Sequence, residues 1–349
     1  MLFYIPNNII DVSNNKIITA INNLAFSRKQ GYHLILSDLK GLETVKNNNL
    51  FDKTTRDVFK HLYNNYSLIG NLRKQMSFYI ELSDKSSVIE LKENNHQKII
   101  VLSIDLIQDF DLLTKTKLLT ENIQEIGFYI QICKYFKRKN PIFKNISLQY
   151  ESLMGGGQNT CQVYELQQKN KKSICLCIVD SDKKYDNCHT GETLNSLLKI
   201  DDPVNLLCEI VSLNVCEVEN LIPMSFLDEV TNDCNWKKGF KFIENLIKEG
   251  KIDVLKYLDF KEGLTLKKLE NTKDTSLISF YNSFLDPNKK SDNVIIYGMG
   301  NKILDNVMQK VEFDDNKIEL GLLKFQKDEW LRIGENFKLD CKSNSLSVM

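Results

Sequence analysis

The stretch Cys175-Leu-Cys-Ile-Val-Asp180-Ser-Asp182 constrains this chain more than any other. An apolar run this short predicts a strand buried on both faces, as in parallel sheets. It stops abruptly at two aspartates one residue apart. The carboxyl ends of such strands open into the crevice where open α/β sheets hold their ligands. Two carboxylates held together there repel each other unless a cation neutralises them. Hard divalent ions such as Mg²⁺ take oxygen ligands of this kind.

The surrounding sequence alternates strand and helix from about residue 113 to 223. Lys117–Thr120 predicts a first strand, and Ile123, Ile126, Ile130 and Cys133 then recur at helical spacing up to Pro141. Ile146–Tyr150 predicts a second strand, followed by Gly155-Gly-Gly157 and a helix from Asn159 to Gln168. Ser173–Val179 is the third strand, Thr193–Ile200 a helix, and Cys208–Val215 a fourth strand. This alternation implies βαβ units and a parallel sheet. At 349 residues, two or three domains are expected. Residues 1–112 read as a mixed α+β region, with helices at Lys16–Phe26 and Thr54–Tyr66 and strands at Phe78–Leu82 and Ile99–Ile104. Residues 224–349 read as mainly helical, with one late strand, Val294–Tyr297, before Gly298-Met-Gly300 and a polar tail over Ser343–Met349. The expected fold class is α/β, a central parallel-sheet domain with these two flanks.

Three acidic features fall on that one sheet. Glu121 closes its first strand, Asp180 and Asp182 its third, and Glu217 and Glu219 follow its fourth. All would face one crevice. Phosphodiester hydrolysis uses such a cluster, because metal ions neutralise the phosphate and lower the pKa of bound water. Asp180 and Asp182 are the natural ligands, with Glu219 preferred over Glu217 as the next. Glu121 would share the metal or act as general acid or base if burial raises its pKa. Lys183 and Lys184 follow directly and would stabilise developing phosphoryl charge. Gly155, Gly156 and Gly157 would offer backbone N–H groups to a phosphate at a helix start. The plain alternatives are a solvated Asp-x-Asp turn, ordinary surface lysines and a tight glycine turn.

Lys and Arg balance Asp and Glu at 46 each, so bulk charge announces no nucleic-acid partner, although a local basic groove stays open. Nine irregularly spaced cysteines favour reduced thiols in a cytoplasmic setting over a disulfide framework. No apolar run approaches the ~20 residues of a membrane span, and the first residues lack the pattern of a signal peptide.

On these residues the chain resembles the TOPRIM family. Leu118-Leu-Thr-Glu121-Asn-Ile-Gln-Glu125 resembles its first motif, a strand ending in an essential glutamate, with Asn122 where the motif has Gly and Glu125 where it has Asp. Cys177-Ile-Val-Asp180-Ser-Asp182 resembles the family's Asp-x-Asp motif on a third strand. The triple glycine is similar to that of the nuclease branch, including OLD-type nucleases. Glu219-Asn-Leu-Ile-Pro223 is similar to an extra acidic motif of small TOPRIM nucleases in bacterial anti-phage defence. The resemblance covers about residues 115–223. It implies a Mg²⁺- or Mn²⁺-dependent nuclease of DNA or RNA, tRNA included, with Glu121 as general acid or base and Asp180 and Asp182 on the metal. It also implies a separate ATPase or sensor subunit, since this chain carries no Gly-x-x-x-x-Gly-Lys-Ser/Thr loop. A metal-dependent nucleotide-sugar transferase and a silent binding subunit of a complex are the competing readings.

Overall fold

The computed structural model describes residues 1–76, 78–94, 97–140, 146–230, 234–284, 294–336 and 341–343. Two sheets organise the chain. The first contains β1 (Leu2–Ile5), β2 (Leu34–Ser37), β3 (Phe78–Ser83), β4 (Ile89–Asn94) and β5 (Gln97–Ser103), in the order β2-β1-β3-β5-β4. All its pairings are parallel except β4 against β5. Residues 1–103 thus contain a mostly parallel sheet, within what the sequence read as a mixed α+β region over 1–112. Leu2–Ile5 and Leu34–Ser37 are four residues each and buried at every position. Runs this short carry no alternation, and only helices on both faces make them strands. One such helix, Asn15–Lys29, starts at Asn14, whose side chain accepts the Lys16 N–H at 3.0 Å, and buries Ile17, Ile21 and Leu24.

The second sheet contains β6 (Thr116–Thr120), β8 (Tyr150–Met154), β9 (Cys175–Val179) and β10 (Cys208–Ser212), all parallel, in the order β10-β9-β6-β8. The stretch read as one strand over Ile146–Tyr150 is split. Its first part, β7 (Ile146–Leu148), pairs antiparallel with a strand at Cys341–Ser343, and the sheet strand begins at Tyr150. The helices Ile123–Lys139, Thr160–Asn170 and Glu192–Ile200 make the connections. The first of these helices ends at Lys139, just before Pro141, which lies outside the described residues, as does the tail from 344 onward.

β9 is buried at all five positions. The core on one face of this sheet runs without a break from Leu118, Leu176 and Val211 through the helix Ile123–Lys139 into Phe226, Ile303, Val307, Trp330 and Ile333. Trp330 is 1% exposed, packs edge-on against Phe128 and Tyr135, and donates from Nε1 to the Leu221 carbonyl at 2.9 Å. Truncating a buried tryptophan costs about 3–5 kcal/mol. The elements after residue 223 therefore share the second sheet's core and hold the segment that follows β10. Gly263–Thr265 and Val294–Tyr297 add a two-stranded antiparallel ribbon. Among the described residues no helix is long and apolar enough to cross a membrane.

Candidate active site

The second sheet changes direction between β6 and β9, the place where open α/β sheets take ligands. Glu121 follows β6 and Asp180 follows β9 directly. Glu121 is fixed through its carbonyl, which accepts the Gly156 N–H at 3.0 Å. One turn into the next helix, Glu125 is buried and accepts from Asn122 Nδ2 at 2.9 Å. An acid in a first helical turn is favoured by the helix dipole.

The exit of β9 is stitched to the exit of β10. Asp182 N–H donates to the Cys216 carbonyl at 2.9 Å, and Ser181 Oγ to the Val215 carbonyl at 2.6 Å. Asp180 Oδ1 accepts the Val218 N–H at 3.0 Å. Asp182 adopts φ of 53°, a conformation that Asp tolerates better than most residues. It packs against Gly191 so closely that a Cβ there would lie 1.9 Å from its Oδ2. These bonds carry Glu217 and Glu219, on a short 3-10 turn, up to Asp180. The turn is anchored by Asn220, whose Nδ2 donates to the Leu255 and Leu258 carbonyls at 2.9 and 2.8 Å.

Lys261 was not foreseen from the sequence. Its Nζ lies 3.4 Å from both Glu217 Oε1 and Glu219 Oε2. Its backbone is seated by the Gly298-Met-Gly300 turn. Gly300 N–H donates to the Lys261 carbonyl at 2.9 Å, and a Cβ on Gly298 would come within 2.4 Å of that oxygen. The close approach explains these glycines without any dinucleotide. Lys184 joins the cluster, with Nζ 3.5 Å from Cys216 Sγ and 3.6 Å from Asp259 Oδ2. Lys183 instead lines a neighbouring cleft.

Burial dominates the electrostatics. It raises Glu121, helped by the charge of Asp182 and opposed by Lys261 and a Thr193 hydrogen bond. It pushes Glu125 up to about 7, against the Asn122 hydrogen bond and with the charges of Glu121 and Glu219. Asp180 keeps some solvent exposure, but protein surrounds it densely, and burial with Glu125 and Glu219 holds its carboxyl well above the usual range. Glu217 is raised to about 7 by burial, against Lys261, and Glu219 is raised for the same reason. Burial works against the charge on Lys261, but Glu219, Glu217 and Asp180 outweigh it and keep the ammonium charged.

The donor set is all oxygen, which suits Mg²⁺. Three buried oxygens point the same way. Glu217 Oε2 and Tyr129 Oη have no hydrogen-bond partner among the described residues, and Glu219 Oε2 has only the Lys261 ammonium, without a well-aligned hydrogen bond. Burial, with the charges of Asp180, Glu125, Glu219 and Glu329, raises the Tyr129 hydroxyl well above its usual range. As the side chains stand, no three His, Cys, Asp or Glu residues among those described are grouped tightly enough to hold a metal ion. The chemistry of the donors therefore fits a divalent ion, while Lys261 now supplies the positive charge between the two glutamates. Of the three glycines, Gly155 and Gly156 spend their N–H groups on the Thr120 and Glu121 carbonyls at 2.8 and 3.0 Å. Gly156 and Gly157 adopt positive φ, and Gly155 has no room for a Cβ against Thr160. Their role here is to shape the turn beside Glu121. No protein family, no curated protein and no solved structure matches this chain.

Proposed function

We propose that this chain is a cytoplasmic, divalent-metal-dependent nuclease that hydrolyses phosphodiester bonds of DNA or RNA at the rim of its second sheet. One observation carries the reading. Glu121, Glu125, Asp180, Asp182, Glu217 and Glu219 come from three separate stretches to the switch point of a parallel sheet, and burial raises five of them. The nearby Lys184 and Lys261 leave that set short of positive charge. A buried excess of carboxylates must take up protons or a cation.

Asp180, Asp182 and Glu219 would hold Mg²⁺ or Mn²⁺, with Glu217 at its edge. Bound there, the ion would neutralise phosphate charge and activate water. The chain's own residues do the rest. Glu121, its carboxyl raised by burial, exchanges a proton at the reacting oxygen. Lys184, kept charged by Cys216, Asp259 and Glu217 against its burial, offers a cation to phosphoryl oxygens. Lys261 holds Glu217 and Glu219 in place. On the family resemblance alone, the biological setting we propose is a toxic effector of anti-phage defence restrained by a separate ATPase or sensor subunit.

The test offers the purified protein supercoiled DNA, single-stranded DNA and total tRNA with Mg²⁺ or Mn²⁺. Asp180→Ala and Glu121→Ala are run alongside. Cleavage that survives both substitutions places the activity elsewhere. The Lys261 ion pairs favour one second reading, a silent module in which the lysine permanently neutralises the acids. Calorimetry with Mg²⁺ separates the two, since a silent module takes up no ion.

A further inference from the structure

A polar cleft of about 430 Å³ opens beside the acidic rim. Small-molecule sites span about 300–1,000 Å³, so one nucleotide fits. Its charged lining is Lys183, Lys256 and Arg332 against Asp186, Asp328 and Glu329, and Tyr257 stands on the same wall. Cleft and rim share a wall. Cys216 accepts from Asp182 N–H at 2.9 Å and donates its own N–H to the Lys256 carbonyl at 2.7 Å. Lys183 is the residue after Asp182.

The charges of the cleft divide in two. Glu329, also on its wall, is consumed internally, since it accepts from Asn214 N and Nδ2 at 2.9 Å each and pairs with Arg332. Arg332 in turn donates to the Ser212 carbonyl at 2.6 Å. Lys183 and Lys256 remain as cations, and Asp328 and Asp186, the latter accepting from the Tyr257 hydroxyl, remain as acids. Lys183 makes no ion pair among the described residues, and Lys256 pairs only with Asp253, whose side chain is 89% exposed. Such a pair is worth little and gives way easily. Beside these cations stands the half-buried ring of Tyr257, with its hydroxyl 3.4 Å from Asp186. Cations that track a phosphate chain next to an aromatic ring that stacks a base are how single strands are held. A duplex keeps its base faces stacked and offers nothing to such a ring.

We propose that this cleft binds one unpaired nucleotide, with its base on Tyr257 and its phosphate on Lys183 and Lys256, so that single-stranded nucleic acid is the substrate class. The position of that nucleotide next to the cut bond rests on the nuclease reading, but the binding does not.

Fluorescence anisotropy with labelled twelve-nucleotide strands of dT and rU, and with a twelve-base-pair duplex, tests it. The full-length Glu121→Gln protein is used with Mg²⁺, so that cleavage does not intrude. Single strands are expected to bind at least about tenfold tighter than the duplex, with Tyr257→Ala weakening them about tenfold or more and Tyr257→Phe restoring the loss. Lys183→Ala with Lys256→Ala lowers the salt slope by about 0.7, the value for one single-strand phosphate. Equal binding of duplex and single strand, or an unchanged salt slope in the lysine pair, overturns the proposal. The salt slope decides even if Tyr257→Ala fails to fold. Single-strand binding by a protein that cuts nothing sinks only the nuclease reading, while cleavage without these binding effects sinks only the cleft.

Discussion

The chain uses one strand order twice. In each sheet the parallel strands run second, first, third, fourth across the sheet, as β2-β1-β3-β5 and as β8-β6-β9-β10. Each therefore has a switch point at the carboxyl ends of its first and third strands. The first rim is closed by neutral bonds. Ser37 Oγ donates to the Ile5 carbonyl at 2.7 Å, and Ser103 Oγ accepts the Asp105 N–H. One of its acids, Asp105, is held by Lys16 and Ser86, and its carboxyl lies below the usual range, first through the Ser86 hydrogen bond. The second rim has six acids near two lysines, and burial raises five of those acids. Topology makes a crevice in both sheets, but only the residues at the strand ends decide whether it holds chemistry.

The sharpest test of that contrast is activity. Glu121→Gln should slow cleavage by about 10²–10⁴-fold, the range for a general acid or base. Asp38→Asn, on the rim of the first sheet, should leave the rate within about twofold. Equal losses from both would erase the distinction.

The next effect is on stability. Glu125 and Glu217 are raised to about 7, above the ~4.3 of an unfolded glutamate. The folded state then binds more protons than the unfolded chain between those values. Their contribution is complete below about pH 4.3 and is lost as pH rises through about 7. Without divalent cations, stability in urea should fall by about 4 kcal/mol between pH 5.5 and 8. Glu125→Gln with Glu217→Gln should flatten the curve, and Mg²⁺ should restore stability at pH 8. A flat wild-type curve would mean that the rim is not short of positive charge.

Lys261→Met comes third. It strips the cation from two buried glutamates, and at pH 8 the loss should be about 2 kcal/mol, less than for a fully buried pair because Lys261 is 24% exposed. Added Mg²⁺ should recover most of it in thermal melts. The smallest effect compares two glycines. A Cβ on Gly41 would meet Ser37 Oγ at 2.3 Å, as one on Gly191 would meet Asp182 Oδ2 at 1.9 Å. Both alanine variants should cost about 1–2 kcal/mol in urea melts. Only Gly191→Ala should also reduce cleavage, because only it displaces an acid of the second rim.

Much of the second sheet was legible. Cys175–Val179 stands out because burial on both faces demands an unbroken apolar run, and such a run has nowhere to go but the centre of a parallel sheet. Glu121, Asp180 and Asp182 were legible as the residues that end such runs. The first sheet was harder, since Leu2–Ile5 and Leu34–Ser37 are too short to show a period, and the helices that bury them are distant in sequence. Glu125 read only as a motif substitution. Its burial follows from packing that no local pattern reveals.

By itself the sequence determined the alternation of elements around the second sheet, the strand carrying Asp180 and the order in which the acids leave the sheet. Those are local properties of apolar runs and the polar residues that stop them. Only the tertiary structure decided that Lys261 enters the acid cluster, that Asn220 is pinned from Leu255 and Leu258, and that Lys183 lines a cleft with Tyr257. These contacts join residues tens of positions apart through the core shared with the C-terminal helices. A lysine in Asp-Phe-Lys-Glu looks like any surface charge until the fold buries two glutamates beside it.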